Sequence, residues 1–414
     1  MNEMALNELA SWVTEAGLVG RSEPELLAGF CQRIVCGGIP LARALVILDT
    51  LHPVYEGRAF RWRSDAPDEV EAVDYGRTDE GEAAENWRRS AFFHLLQSGG
   101  KALRRRLAAG DPADFSTIAQ ARDEGMTDYL ALIHRFAAEG VIGEMDCVYS
   151  HWATDAGGGF DESAVVALKQ LTPFLNLAIK SAALARMAGT LVETYLGRDA
   201  GRRVMNGRIA RGVAERIDAV LWYSDLHGYT HISDNAPPEQ IIPLLNDYAE
   251  VVVSAVHRQG GDVLKLIGDG TLAIFTEENR EQACHAALAA AARVRRDLIK
   301  LNRGRAEAGL PTTQVYLALH VGDVFYGNVG SKDRLDFTVI GPAVNEVSRI
   351  LAMSRSVEQD VLLSASFADA LGPEIRRHMV SVGRYALRGV AQPQELFTPE
   401  PDFHISLFGA TSSN

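Results

Sequence analysis

The rhythm of apolar and polar positions divides the chain into two halves. In the first, a helical period over about 24–36 leads to an apolar run, "ALVILDT" (44–50), and a second strand-like run, "GRAFRWRS" (57–64). The acidic, Pro- and Gly-punctuated stretch from Asp65 to Glu85 reads as a surface loop. Helical segments follow, then a strand pair expected around "MDCVYSHWATDAGGGF" (145–160). A long helix should open at Asp161 or Ser163, either of which can cap it. Along it, Leu168, Leu171, Leu175, Ala178, Ala182, Ala185, Gly189, Val192 and Leu196 fall at alternating three- and four-residue steps. That is the seam of a parallel two-helix coil. It is rich in Ala and Gly, and Pro173 can kink its start. The competing reading is a helix packed on its own domain.

The rhythm changes at Ala219. "AVLWYSD" reads as a strand, and "PPEQIIPLLNDYAEVVVSAVHRQGG" as a helix begun by prolines and stopped by glycines. "KLIGDGTLAIF" (265–275) reads as a hairpin whose turn is Gly268-Asp269-Gly270. Residues 280–303 form a helix with Ala283, Ala287, Val294, Leu298 and Leu301 on one face. "TQVYLALHVGDVFYGNVG" is expected to give another strand pair, and "LDFTVI" a strand feeding the helix "AVNEVSRILAMS". The order strand-helix-strand-strand-helix-strand predicts an α+β, ferredoxin-like core with additions.

Composition narrows the classes. The 414 residues suffice for two domains with their own cores, and 47% hydrophobic with 23% charged residues is ordinary for a soluble protein. A formal net charge of −13 argues against nucleic acid or an anionic membrane as partner, though not against a small anionic substrate. No apolar run spans a bilayer, and the acidic, amphipathic start is unlike a signal peptide. Four scattered cysteines, Cys31, Cys36, Cys147 and Cys284, fit a reducing cytoplasm, the expected location. "SGGKALRRRL" (98–107) lacks phosphate-loop spacing, so Lys101, Arg104, Arg105 and Arg106 read as a solvated helix face. His94, His134 and His151 have no ligand spacing.

Asp225 ends an apolar strand in "WYSDLHGYT", and Asp269 sits at a hairpin tip. Each alone is an ordinary turn residue. Side by side, at ~4 Å, they would repel by roughly 4 kcal/mol at an effective dielectric of 20. A hard cation removes that repulsion, and two carboxylates plus substrate phosphates is a usual magnesium site. The turn after Asp225, with Gly228, Tyr229 and Thr230, leads toward a helix and can wrap phosphate oxygens.

"SDLHGYT", "KLIGDGTLAIF" and "DFTVIGPAVNEVSR", in this order and spacing, resemble the three signature blocks of the class III adenylate/guanylate cyclase catalytic domain. The resemblance covers roughly 217–400, leaving 401–414 as a tail. It implies that Asp225 and Asp269, with the carbonyl of Leu226, bind two magnesium ions, for which manganese can substitute. It makes Lys265 and Thr338 the base-reading residues, with Ile340 beside them in the substrate site. Lysine can donate to adenine N1, guanylate-making relatives carry Glu there, and a threonine hydroxyl can accept from the adenine N6 amino group. The pair therefore favours ATP. Asn345 and Arg349, four apart on one helical face, would orient the ribose and stabilise the pentavalent phosphorus. Arg388, and more weakly Arg334, match positions that touch the triphosphate. Pro342 and Val347 depart from the Asp and Ala common in the family, at positions without a chemical role.

The family builds each active site between two catalytic domains, so a chain with both residue sets should act as a homodimer. The first 185 residues resemble a GAF sensor domain in element order, with 161–215 as a connecting helix or coiled coil. The implied function is an adenylate cyclase regulated by an unidentified ligand or partner of the N-terminal domain. The alternatives are a guanylate cyclase and a non-catalytic nucleotide-binding module.

Overall fold

The computed structural model describes residues 1–136, 145–390 and 392–400, so the tail expected at 401–414 lies outside the described residues. Two compact units divide the chain, Met1–Leu191 and Val192–Asn414. Among the described residues no helix is long and apolar enough to cross a membrane.

The first unit begins with α1 (Glu3–Leu18) and α2 (Glu23–Cys36), followed by β1 (Arg43–Asp49), β2 (Gly57–Arg63) and β3 (Val70–Tyr75). Then come α3 (Gly81–Arg88), α4 (Ala91–Ser98), β4 (Ala102–Arg105), α5 (Ser116–Asp123), β5 (Asp128–Arg135), β6 (Cys147–Thr154) and α6 (Glu162–Leu196). The six strands form one sheet in the order β3-β2-β1-β6-β5-β4, with every neighbouring pair antiparallel. Strand residues alternate between two cores. Val46, Phe60 and Trp152 pack with Phe30 of α2 and Leu171 of α6. Tyr129 and Tyr149 face Phe92 of α4 and Ile118 of α5.

The acidic stretch 65–85 contains β3, whose backbone pairs antiparallel with β2 from Val70 opposite Trp62 to Tyr75 opposite Gly57. Of the strand pair expected around 145–160, β6 falls inside the stretch, and its partner β5 precedes it in the chain. The basic segment at 101–106 is a strand, not a helix face. Arg104 reaches the buried Asp128 carboxylate (2.7 Å) and Glu162 (2.6 Å). Asp161 is the cap of α6, its carboxylate accepting from the Ala164 amide at 2.7 Å. Leu168, Leu171, Leu175 and Ala178 are buried in the unit's own core, and the buried stripe moves on to Ile179, Ala183 and Met187 while Ala185 is exposed. A straight helix drifts about 20° per heptad from a 3.5-residue repeat, so the proposed seam and the packed face diverge. The connecting helix does not run to 215. It ends at Leu196, and Gly197 turns the chain with φ 88°, where a Cβ would lie 2.4 Å from the Val263 carbonyl oxygen.

The second unit comprises α7 (Arg198–Met205), β7 (Ala214–Leu226), α8 (Tyr229–Asn235), α9 (Pro238–Arg258), β8 (Asp262–Ile267), β9 (Gly270–Phe275) and α10 (Arg280–Glu307). It continues with β10 (Val315–Gly330), β11 (Leu335–Ile340), α11 (Pro342–Val357), β12 (Val361–Ser364), α12 (Ala365–Ala370), α13 (Gly372–Arg376), β13 (Met379–Tyr385) and β14 (Gln394–Pro399). The sheet order is β13-β14-β12-β10-β7-β9-β8, with β11 also on β10. β7-α9-β8-β9-α10-β10 is the expected strand-helix-strand-strand-helix-strand core, its first strand lying between the third and the last. One face buries Trp222, Phe275 and Leu319 against α9, α10 and α12. The other buries Leu221, Leu272 and Phe337 against α11.

The strand pair expected in 313–330 is one continuous strand, β10. Its glycines are not turn residues but points of close approach. A Cβ on Gly322 would lie 2.8 Å from Cβ of Ala343, and one on Gly327 2.2 Å from the Val213 carbonyl oxygen.

Candidate active site

β7 delivers Asp225 and Leu226 to the sheet edge beside the β8–β9 turn. Gly268, with φ 64°, makes that turn, and it brings Asp269 back against β7. The Leu226 amide donates to Asp269 Oδ2 at 3.3 Å. Burial, and then the hydrogen bond and charge of Asp269, push the Asp225 carboxyl up to about 7 from its ordinary 3.8. Gly270 keeps the space open, since a Cβ there would lie 3.0 Å from the Ser224 carbonyl oxygen and 3.4 Å from Asp225 Oδ1. A cavity of about 210 Å³ opens here, lined by both aspartates and by Leu245, Asn246 and Leu266. Among the described residues no group of three or more His, Cys, Asp or Glu could hold a metal. The pair nevertheless fits magnesium as a shared ligand set. Two hard carboxylate oxygens strain against each other, and nucleotide phosphates would complete the shell.

The same hairpin carries Lys265, whose ammonium pairs with Asp336 of β11. A bulge between Val263 and Lys265 shifts the register of β8 on β9, which re-aims the side chains that follow. In β11, Phe337 and Val339 are buried and Asp336, Thr338 and Ile340 take the other side. The structure thus brings Lys265 to the strand face that bears Thr338. Ile340 lies opposite Phe325, and the two are 44% and 55% exposed.

Gly341 starts α11, and Pro342 occupies its first turn, where a missing amide hydrogen costs nothing. Asn345 is exposed on this helix. Arg349 Nη1 is buried without a hydrogen-bond partner among the described residues. It lies 3.1 Å from where a Cβ on Gly389 would stand, so the guanidinium nests against the turn that carries the exposed Arg388. Arg334 is elsewhere, at the tip of the β10–β11 hairpin, where Ser331 Oγ accepts from its amide at 3.1 Å. After Asp225 the chain is pinned by Thr313, whose hydroxyl donates to the His227 carbonyl. Gly228, at φ 68°, then turns it through Tyr229 and Thr230 into α8. Among the described residues, no hydrogen bond or ion pair joins the two aspartates to Asn345 or Arg349.

Residues 213–398 match the family described as the adenylate and guanylate cyclase catalytic domain. This segment is a cyclase catalytic domain. An uncharacterized protein of Mycobacterium tuberculosis is 34% identical over 206 residues, 50% of this chain and 36% of that protein. An adenylate cyclase of Anabaena cylindrica is 35% identical over 159 residues, 37% of this chain and 31% of that one. The match therefore spans about a third of these curated relatives. The crystal structure of the adenylyl cyclase CyaB from P. aeruginosa is 23% identical, covering 45% of this chain and 94% of that chain at a TM-score of 0.41.

Within the cyclase domain, sequence reasoning missed three residues. Asp336 sits two positions before Thr338, so strand parity could have placed it on the same face. Gly270 and Gly389 look like turn glycines, and only the packing shows what a side chain would displace. In the first unit, His151 Nδ1 is bonded to the Tyr129 hydroxyl and His134 Nδ1 to Asn176, each at 2.9 Å. The His94 ring packs on Phe115.

Proposed function

We propose that the chain is an adenylate cyclase, converting ATP to 3′,5′-cyclic AMP and pyrophosphate at sites shared between two copies of the cyclase domain. The observation that carries this reading is one hairpin with two chemistries. Its tip sets Asp269 beside Asp225, and its side holds Lys265 by the β11 face that bears Thr338. Asp225, Asp269 and the Leu226 carbonyl would hold magnesium. The bound metal supplies charge neutralisation of the triphosphate and a more acidic ribose 3′-hydroxyl. Lys265 donates to adenine N1, and the Thr338 hydroxyl accepts from N6. Asn345 of the second copy orients the ribose. Arg349 directs fixed positive charge at the α-phosphate as the 3′-oxygen attacks in line and pyrophosphate departs. The unpartnered Nη1 of Arg349 fits a group kept for an anion.

The first unit is read as a GAF-like regulatory domain, with support from its antiparallel sheet covered by helices on both faces. Turnover of ATP and GTP by the full chain with magnesium or manganese tests the function. The expected product is cyclic AMP from ATP. Cyclic GMP from GTP alone would make it a guanylate cyclase, and no turnover of either would make it a binding module.

A further inference from the structure

We infer that Thr313 is a positioning residue of the metal site, its hydroxyl holding the chain after Asp225 so that the Leu226 carbonyl faces the Asp269 turn. This rests on the reading of Asp225, Asp269 and the Leu226 carbonyl as metal ligands. β7 lies between β10 and β9. His227, the first residue past β7, is held on the β10 side through both of its backbone groups. Its amide donates to the Gln314 carbonyl at 2.8 Å, and its carbonyl accepts from the Thr313 hydroxyl. Among the described residues no peptide bond is cis, and a trans peptide is planar, with its C=O and N–H opposed. The Leu226 carbonyl shares a peptide with the His227 amide. It therefore faces away from β10, toward the side on which β9 and the Asp269 turn lie. The Leu226 amide, which donates to Asp269 Oδ2, is on that side too. The Gly228 amide shares the next peptide with the His227 carbonyl and faces the same way.

Thr313 is itself held by a closed ring that reaches two helices. Its amide donates to the Tyr248 hydroxyl of α9 at 2.7 Å, and that hydroxyl donates to Asn302 Oδ1 of α10. Asn302 Nδ2 donates back to the Thr313 carbonyl at 2.7 Å. The tyrosine has one hydrogen to give, and Asn302 already serves the carbonyl, so the ring closes with every group paired. Tyr248 and Thr313 are both buried. The backbone of Thr313 is thus committed to the helices, and only its hydroxyl leaves the ring, toward the site. A β-branched side chain is stiff about χ1, so that hydroxyl is aimed. Fold stability is a weak reason for this last bond, because His227 is exposed and water can replace the lost donor. Its effect on a ligand-bearing peptide is larger. Removing a group that orients a metal ligand without touching the metal lowers affinity by about 10–100-fold.

The test compares Thr313→Val, which keeps the shape and removes the donor, with Thr313→Ser, which keeps the donor. The first readout is hydrogen exchange of the metal-free full chain. The His227 and Ile232 amides donate to the Gln314 and Gly228 carbonyls at 2.8 and 3.1 Å. In Thr313→Val both should exchange about tenfold faster, with the α9 and α10 amides around Tyr248 and Asn302 unchanged. Thr313→Ser should stay near the wild type. The second readout is manganese binding in the presence of 3′-deoxy-ATP, which has no hydroxyl to cyclise, followed by the paramagnetic resonance of the free ion. Thr313→Val should weaken binding by about 10–100-fold, and Thr313→Ser should recover most of it. Unchanged exchange at His227 and Ile232, exchange that rises equally through α9 and α10, or unchanged manganese affinity would overturn the inference while leaving the cyclase reading intact. If the wild type binds no manganese with 3′-deoxy-ATP and cyclises neither ATP nor GTP, that reading falls. The exchange comparison then decides: faster exchange confined to the segment after Asp225 supports the ordering role of Thr313, and any other pattern rejects it.

Discussion

Asp225 holds its charge at a cost, and that cost has a pH signature. Its folded value of about 7 stands above the ordinary 3.8. Between these values the folded chain retains a proton that the unfolded chain has lost. Stability present at low pH therefore falls as pH rises toward 7. Asp225→Asn should raise the melting temperature of metal-free protein by a few degrees at pH 8, with the gain shrinking toward pH 4. Millimolar magnesium with nucleotide should stabilise the wild type and not the variant. Scanning fluorimetry across pH, with and without magnesium, reads both effects, and a gain of the same size at pH 5 and pH 8 would remove Asp269 and burial as its cause. The aspartates were legible in the sequence because each follows an apolar strand and is followed by glycine-rich turn residues. Asp336 was less so, because the contact between β8 and β11 depends on how the sheet curls, not on either strand alone.

Elements with one dominant period were readable, and those with two environments were not. The β8–β9 hairpin, α9 and α10 follow their apolar spacing closely. β10 misled because Gly322 and Gly327 resemble turn signals, whereas packing against α11 and the start of β7 demands them. On α6, small residues extend a heptad beyond the face that the domain core takes. Leu175→Ala should therefore cost the first unit about 2–5 kcal/mol, as for other fully buried leucines. Chemical denaturation measures this, and a change below about 0.5 kcal/mol would return that stripe to the surface. The turn bearing Arg388 makes a second prediction. Gly389 has φ 72° and stands against Arg349, so Gly389→Ala should lower kcat far more than it raises KM for ATP. The reverse pattern would place the turn at ground-state binding instead.

At the scale of the molecule, one chain carries all the proposed chemistry without assembling it. The aspartates stand at the hairpin tip, and Arg349 nests by the Arg388 turn. Leu266, Ile267, Phe325 and Ile340, on the hairpin and the β10–β11 arm, are 56%, 43%, 55% and 44% exposed. A second cyclase domain seated there would cover them and bring its Arg349 to the first copy's aspartates. Asp269→Ala and Arg349→Ala should then each be inactive alone, since each spoils both sites of a homodimer. Mixed after chain exchange, about half of the dimers are heterodimers, each with one intact site and one carrying both lesions. Cyclic AMP formation in that mixture is the most direct measurement of the shared site. Recovery to roughly a quarter of the wild-type rate is expected for independent sites and free exchange. No recovery, with exchange demonstrated by differently tagged chains, would mean that each chain completes its own site.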